Sequence, residues 1–144
     1  MRRGLVLVIE EDVEMQDILV ETLEDNGFAA HGAGSVEEVL KSFALVGVVI
    51  VISSLRAVNR LGIATHQKIQ ARYPGAVFIF CAEPEAIPRL DLPGLRLRKV
   101  LPTPFHLRDF TKTVRRTSTF IWWLTCKRHF SDGLAQIKTS LSGY

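Results

Sequence analysis

The sequence contains few cysteines and no long apolar run. Its 144 residues include only Cys81 and Cys126, which are too few for the disulfide framework of small secreted domains. No stretch approaches the roughly 20 consecutive apolar residues that a membrane-spanning helix needs. The apolar run after Arg2 and Arg3 ends in acidic residues, without a small-residue cleavage site. We therefore expect one cytoplasmic domain with two free thiols.

Several motifs of ligand-binding proteins are also missing. No glycine-rich loop follows the first apolar run, where phosphate-binding folds carry one. His31, His66, His106 and His129 do not have the spacing of metal ligands. No helix-turn-helix pattern is present, so the sequence offers no direct sign of a nucleotide, metal or DNA site.

Charge is distributed unevenly along the chain, although the net charge is only +3. Residues 1–46 hold ten acids and three bases, whereas residues 105–144 hold seven bases and two acids. A basic C-terminal segment can meet an acidic partner, nucleic acid or a membrane surface. It can also be the solvated face of a helix, which is the interpretation we favour.

Short apolar runs alternate with helical patterns five times. The runs are residues 5–9, 28–33, 48–52, 77–81 and 100–101. Residues 5–9 and 48–52 are rich in β-branched residues and end abruptly in polar ones, as is typical of strands buried on both faces, whereas 28–33 and 100–101 give weaker signals. This alternation predicts a flavodoxin-like, doubly wound α/β fold with a five-stranded parallel sheet. In such sheets, functional groups lie at the carboxyl ends of the strands.

Capping residues mark the helix boundaries. Asp12 is placed to cap the first helix, and Asn26-Gly27 to end it. Ser35 and Glu38 have the spacing of a capping box and predict the start of the second helix.

Three segments resemble one known family. "VLVIEEDVEM" is similar to the opening strand and acidic pocket of response-regulator receiver domains, the CheY-like family. "SLRAVNRLGIATHQKIQARYP" is similar to the segment from the phosphoacceptor through the next helix, and "LPTPF" to the family's K-P-F turn. The resemblance covers about residues 5–117 and implies a module of two-component signal transduction. It also implies a cis peptide bond before Pro104.

The resemblance assigns six residues to the family's phosphorylation pocket and switch: Glu10, Glu11, Ser54, Cys81, Val100 and Thr103. Glu10 and Glu11 keep negative charge, but each is one methylene longer than the family's aspartates, which weakens a Mg²⁺ site that demands near-ideal geometry. Ser54 stands at the phosphoacceptor position. A hydroxyl without a base is a poor nucleophile and cannot form an acyl phosphate.

The other three positions also depart from the family. Cys81 replaces the switch hydroxyl, Thr103 replaces the lysine, and Val100 replaces the aromatic switch residue. These changes predict that aspartyl-phosphate chemistry is lost. We expect a phosphorylation-independent pseudo-receiver that is not an enzyme and has no cofactor. We expect no metal site, with Glu10 and Glu11 as weak Mg²⁺ candidates.

Residues 118–144 lie beyond the receiver-like unit of residues 1–117 and form an aromatic and basic helical extension. The interface candidates in and before it are Phe110, Val114, Ile121, Trp122, Trp123 and Leu124. The extension can fold back on its own domain, form a homodimer or lie on a membrane surface, and we favour the first two. A second short amphipathic segment is expected after Ser131-Asp132.

The sequence as a whole predicts binding rather than catalysis. We expect a regulatory module that contacts a protein partner in a signalling pathway and forms a homodimer, with nucleic acid and membranes as less favoured partners. The alternative is a sensor domain that binds a small ligand or nucleotide at the strand ends. Against it, Glu10, Glu11 and Asp12 would repel a phosphate group in the absence of a metal.

Overall fold

A computed structural model describes residues 4–42, 45–54, 63–89 and 91–142, with side chains in the last helix described as far as Lys127. The elements are β1 (Leu5–Ile9), α1 (Val13–Asp25), β2 (Ala29–Ala33), α2 (Val36–Lys41), β3 (Val48–Ser54), α3 (Ile63–Arg72), β4 (Val77–Ala82), a 3₁₀ turn (Ile87–Arg89), β5 (Leu97–Pro102) and α4 (Leu107–Ser142). The five strands form one parallel sheet in the order β2-β1-β3-β4-β5. The predicted fold class is confirmed.

Helices cover the two faces of the sheet in pairs. On one face, Leu19 and Leu23 of α1 and Phe110 and Val114 of α4 pack with one set of strand side chains. On the other face, α2 and α3 pack with the alternate set, which includes Phe78 and Phe80. Because β1, β3 and β4 are covered on both sides, their sequences are continuous apolar runs.

The predicted caps are formed. The Asp12 carboxylate accepts hydrogen bonds from the backbone N–H groups of Glu14 and Met15. Ser35 accepts from the N–H of Glu38 at 3.2 Å. The Glu38 carboxylate in turn accepts from the N–H of Gly34, the residue just before the cap, at 2.8 Å. These contacts start α1 and α2 at the residues that the sequence predicts.

The fifth strand is longer than its apolar pattern. It runs from Leu97 to Pro102, and its first three residues are exposed. The strand lies at an edge of the sheet, so polar and basic side chains such as Arg98 and Lys99 are tolerated there. The apolar pattern therefore revealed only Val100 and Leu101.

The last helix gives two corrections. It runs without a break through residues 117/118 and 131/132, so the second segment expected after Ser131-Asp132 is part of the same helix. Phe110 and Val114, named as interface candidates, are 0% exposed and pack in the core. They lie on the side of α4 that covers the sheet, so they are not available to a partner.

No helix in the described ranges is both long and apolar enough to cross a membrane.

We expect Phe110→Ala to lower the free energy of unfolding by about 3–5 kcal/mol, because it removes a fully buried ring and leaves a cavity. The control is Val46→Ala, since Val46 is 81% exposed and should change stability by less than about 0.5 kcal/mol. Urea denaturation measures both. A Phe110 variant that kept its stability and lost only self-association would contradict the core assignment.

Candidate functional site

Parallel pairing brings the predicted pocket residues to one edge of the sheet. Ser53 is in register with Ile9, so Glu10 follows β1 near the end of β3. Ser54 is in register with Cys81. Thr103 follows β5, and its N–H donates to the Ala82 carbonyl at 2.8 Å. The carboxyl ends of β1, β3, β4 and β5 therefore converge, as the sequence predicts.

The two serines at the end of β3 differ in environment. Ser53 is 0% exposed, and its Oγ lies 3.0 Å from Nε2 of the buried His66 in a hydrogen bond that links β3 to α3. The His66 ring packs against both Phe78 and Phe80. Ser54 points to the opposite face and is half-buried. Sequence reasoning missed the Ser53–His66 pair because only the tertiary structure brings residues 13 apart together.

The acidic residues after β1 are not equivalent. Glu10 is half-buried; its Oε1 accepts from the N–H of Asp12 at 3.2 Å, and its carbonyl accepts from Gln16 Nε2 at 2.9 Å. Glu11 is exposed. Asp12 uses its carboxylate to cap α1. Only Glu10 and Asp12 line the cleft at the strand ends.

Cys81 is a buried and protonated thiol. Burial, with a smaller contribution from the nearby Glu10 carboxylate, raises the pKa of Cys81 to about 12. Both effects disfavour the thiolate, since a low-dielectric site and a neighbouring negative charge penalise an anion. The residue is therefore neutral at physiological pH and is neither a nucleophile nor a metal-binding thiolate.

The residues at this edge do not fit a bound Mg²⁺. No three side chains of His, Cys, Asp or Glu converge as a metal site within the described residues. Ser54 and Thr103 are neutral, and the Asp12 carboxylate is engaged at the helix cap. Mg²⁺ is a hard cation that needs anionic oxygen ligands in near-octahedral geometry, and no such set is present around Glu10.

A cleft of about 800 Å³ opens at the strand ends. Its rim carries the carboxylates of Glu10, Asp12 and Glu83, and none of its described lining residues is basic. Met15 and Ile18 of α1, together with Phe105, are among its apolar lining residues. Sequence reasoning had not included α1 in the site. The helical spacing of Met15 and Ile18 places them on one face of α1, but it does not show that this face borders the strand ends.

A basic groove of about 560 Å³ continues between α1 and α4. Leu107 lines both this groove and the acidic cleft. The groove is otherwise lined by polar groups of α1 and by four cationic residues of α4, namely Arg108, Lys112, Arg115 and Arg116. Acidic and basic surfaces therefore lie side by side on the same face of the molecule.

The remaining predicted residues lie outside the cleft. Val100 is half-buried and in register with Phe80, so it faces the α2–α3 side of the sheet. Ile121 is half-buried and packs against the core on the α1–α4 side, while Leu124 is half-buried. Trp122 and Trp123 are 49% and 50% exposed, and Lys127 Nζ lies 4.9 Å from the centroid of the Trp123 ring.

Comparison with solved structures identifies the fold. A response regulator receiver domain protein from Clostridium thermocellum matches with a TM-score of 0.70 and 18% identity, over 84% of this chain and 98% of that chain. The chemotaxis response regulator CheY4 of Vibrio cholerae matches with a TM-score of 0.68 and 17% identity, over 79% and 98%. NtrX from Brucella abortus, in complex with ADP, matches with a TM-score of 0.68 and 18% identity.

The chain covers only 29% of NtrX, while 92% of this chain is matched. No protein-family model and no curated protein sequence matches the chain. At identities below 25% the likeness shows the receiver fold and leaves the function to be argued from the residues of this chain.

We expect the two thiols to differ sharply in reactivity. Cys126 is exposed and Cys81 is buried, with a pKa raised to about 12, so little Cys81 thiolate forms below that pH. At pH 8, a chromogenic disulfide reagent should titrate one thiol in the native protein and two in denaturant. Cys126→Ser should abolish the native reaction. Rapid modification of the native Cys126→Ser protein would show that Cys81 is an accessible thiolate.

Proposed function

We propose that this chain is a phosphorylation-independent regulatory module of two-component type. It has the receiver fold, acts by binding a protein partner in the cytoplasm, and self-associates as a homodimer. One observation carries the proposal: the strand-end cleft has neither an acceptor carboxylate at Ser54 nor a cation at Thr103.

The chemistry of the cleft supports this proposal. Phosphoryl transfer to a receiver requires a carboxylate nucleophile, and Ser54 offers a hydroxyl that cannot form an acyl phosphate. A bound phosphoryl group also needs positive charge, but the described lining residues are acidic or neutral. Loss of both members of a buried charge pair costs less than loss of one, because no unpaired charge remains. The double change at Ser54 and Thr103 is therefore compatible with a stable fold.

The surface chemistry supports binding as the activity. Trp122 and Trp123 are half-exposed on α4, and exposed aromatic side chains beside basic ones are enriched in protein interfaces. Arg98 and Lys127 stack on Phe120 and Trp123 respectively, at 4.3 and 4.9 Å. Charged groups placed over aromatic rings give this part of α4 a defined shape for recognition.

The test is a calorimetric titration with Mg²⁺ and beryllofluoride, together with intact-mass measurement after acetyl-phosphate treatment. We expect no saturable binding and no added phosphoryl mass, because Ser54 is not a carboxylate and none of the described residues that line the cleft is basic. A phosphorylatable receiver domain treated in parallel shows that the reagents are active. A phosphoryl adduct, or saturable beryllofluoride binding, would overturn the proposal and make the chain a switch.

The cleft also favours a second candidate, a small-ligand or nucleotide sensor. Its volume of about 800 Å³ is large enough for a drug-sized molecule, and NtrX has been solved in complexes with ADP and with ATP. The carboxylates of Glu10, Asp12 and Glu83 oppose a phosphate group. We therefore expect ADP and ATP, with and without Mg²⁺, to leave the melting temperature unchanged. A concentration-dependent rise would favour the sensor.

A further inference from the structure

Helices α1 and α4 have opposite charge. α1 carries five acidic side chains that are all exposed, Glu14, Asp17, Glu21, Glu24 and Asp25, and the sequence has no lysine or arginine between residues 4 and 40. Over residues 107–127, α4 carries five bases and a single acid, Asp109. Segregation of this kind is stronger than the alternating charges of an ordinary solvated helix.

The two helices are parallel neighbours on one face of the sheet. Both follow a strand of a parallel sheet, and both pack in the same core cluster. Leu107, at the start of α4, lines the cleft together with Ile18, in the middle of α1. Further along, Arg115 Nη2 donates to Asn26 Oδ1 at 3.3 Å. The acidic and basic stripes therefore run side by side in the same direction.

The two stripes form no direct ion pair with each other in the described part of the molecule. Across the described part of the chain, the polar link between the two helices is the Arg115–Asn26 hydrogen bond, and none of the α1 carboxylates forms an ion pair with α4. Between the stripes lie three large apolar side chains, Met15, Ile18 and Leu107, which are 41%, 44% and 42% exposed. The face thus has an apolar centre between opposite charges.

We propose that this face binds a second copy of the chain through a twofold axis parallel to α1 and α4. The inference rests on the proposed function, because it names the geometry of the homodimer proposed there. A twofold interface is self-complementary: if residue i of one copy contacts residue j of the other, residue j of the first copy contacts residue i of the second. An axis along the helices places α1 of each copy on α4 of the other, so that acid meets base twice.

Charge excludes the other in-plane axis. A twofold axis perpendicular to the helices would place α1 on α1 and α4 on α4, which opposes five carboxylates to five carboxylates. Like charges brought together across an interface cost several kcal/mol. The parallel axis instead places opposite charges together. It also brings Met15, Ile18 and Leu107 of the two copies together at the centre of the interface.

The parallel axis also fixes which charges meet. Rotation about this axis preserves height along the helices, and Leu107 and Arg115 lie near Ile18 and Asn26 respectively. Glu21 therefore comes to the height of Arg108 and Lys112 of the second copy. By the same correspondence between positions of α1 and α4, Asp25 comes to the height of Lys112 and Arg116 of the second copy.

The long last helix fits this arrangement. α4 has 36 residues and so extends about 54 Å at 1.5 Å per residue, whereas α1 has 13. A parallel axis makes the two extensions run in the same direction, with Trp122 and Trp123 at equal heights. In proteins most helical stability comes from packing against a neighbour, so a neighbouring extension would stabilise this one.

Charge reversal in two helices tests the proposal. We expect Lys112→Glu/Arg116→Glu and, separately, Glu21→Lys/Asp25→Lys to weaken self-association at least tenfold by sedimentation equilibrium, because acid then meets acid or base meets base. An equimolar mixture of the two variants should dimerise again, since both contacts are then of opposite charge. The chain with all four substitutions should also dimerise. Circular dichroism checks that every variant folds.

The control is Lys41→Glu/Lys68→Glu, which changes the net charge equally at exposed positions of α2 and α3 on the opposite side of the sheet. It should associate like the wild type. A monomeric wild type at about 100 μM, well above a micromolar Kd, would overturn the proposal. So would a mixture of the two reversed variants that stays monomeric.

A distance measurement tests the direction of the helices. A spin label on the exposed Cys126 reports the separation between the two copies. A parallel axis holds the labels at the same height, within about 30 Å. An antiparallel arrangement centred near Lys112 would separate them by about 40 Å, given the rise of 1.5 Å per residue. The larger distance, or no dipolar coupling, would contradict the parallel axis.

The results separate this inference from the proposed function. If the protein is a monomer and does not bind beryllofluoride, this inference and the self-association in the proposed function are both wrong, while the phosphorylation-independent module remains supported. If the protein dimerises through this face but Mg²⁺ and beryllofluoride change the dimerisation affinity, the proposed interface is supported and phosphorylation independence is wrong.

Discussion

The structure depends on the burial of three central strands between two layers of helices. β1, β3 and β4 have no solvent-exposed face, and their side chains divide into one cluster under α1 and α4 and another under α2 and α3. Because the strands are parallel, their carboxyl ends must meet at one edge. That constraint places Glu10, Ser54, Cys81 and Thr103 together whatever chemistry those residues can perform.

The fold therefore brings together the residues that the resemblance assigns to a receiver's pocket, and under the proposed function their side chains do not accept a phosphoryl group. Burial beside Glu10 keeps Cys81 protonated, and the positions that need a nucleophile and a cation hold neutral hydroxyl groups. The Ser53–His66 hydrogen bond and the rings around it stabilise the end of β3 from the other face.

The charge on that surface is organised by helix rather than scattered. A helix as acidic as α1 repels itself, and the basic helix α4 beside it partly offsets that repulsion through space, without direct ion pairs in the described residues. In the proposed dimer, each stripe meets the opposite stripe of a rotated copy, so the same two helices would contribute to both folding and association.

The sequence by itself determined the order of elements, the caps at Asp12 and Ser35, and the receiver-like fold, because buried strands and helix caps depend on local residue types. It also indicated which residues lie at the strand ends. Only the tertiary structure decided that β5 extends to Leu97, that Phe110 and Val114 are core residues, and that Ser53 pairs with His66. It alone brought α1 beside α4, since neighbours separated by about 90 positions leave no periodic signal. Contacts between distant segments depend on how the layers pack, and the amino-acid pattern of either segment alone does not encode that packing.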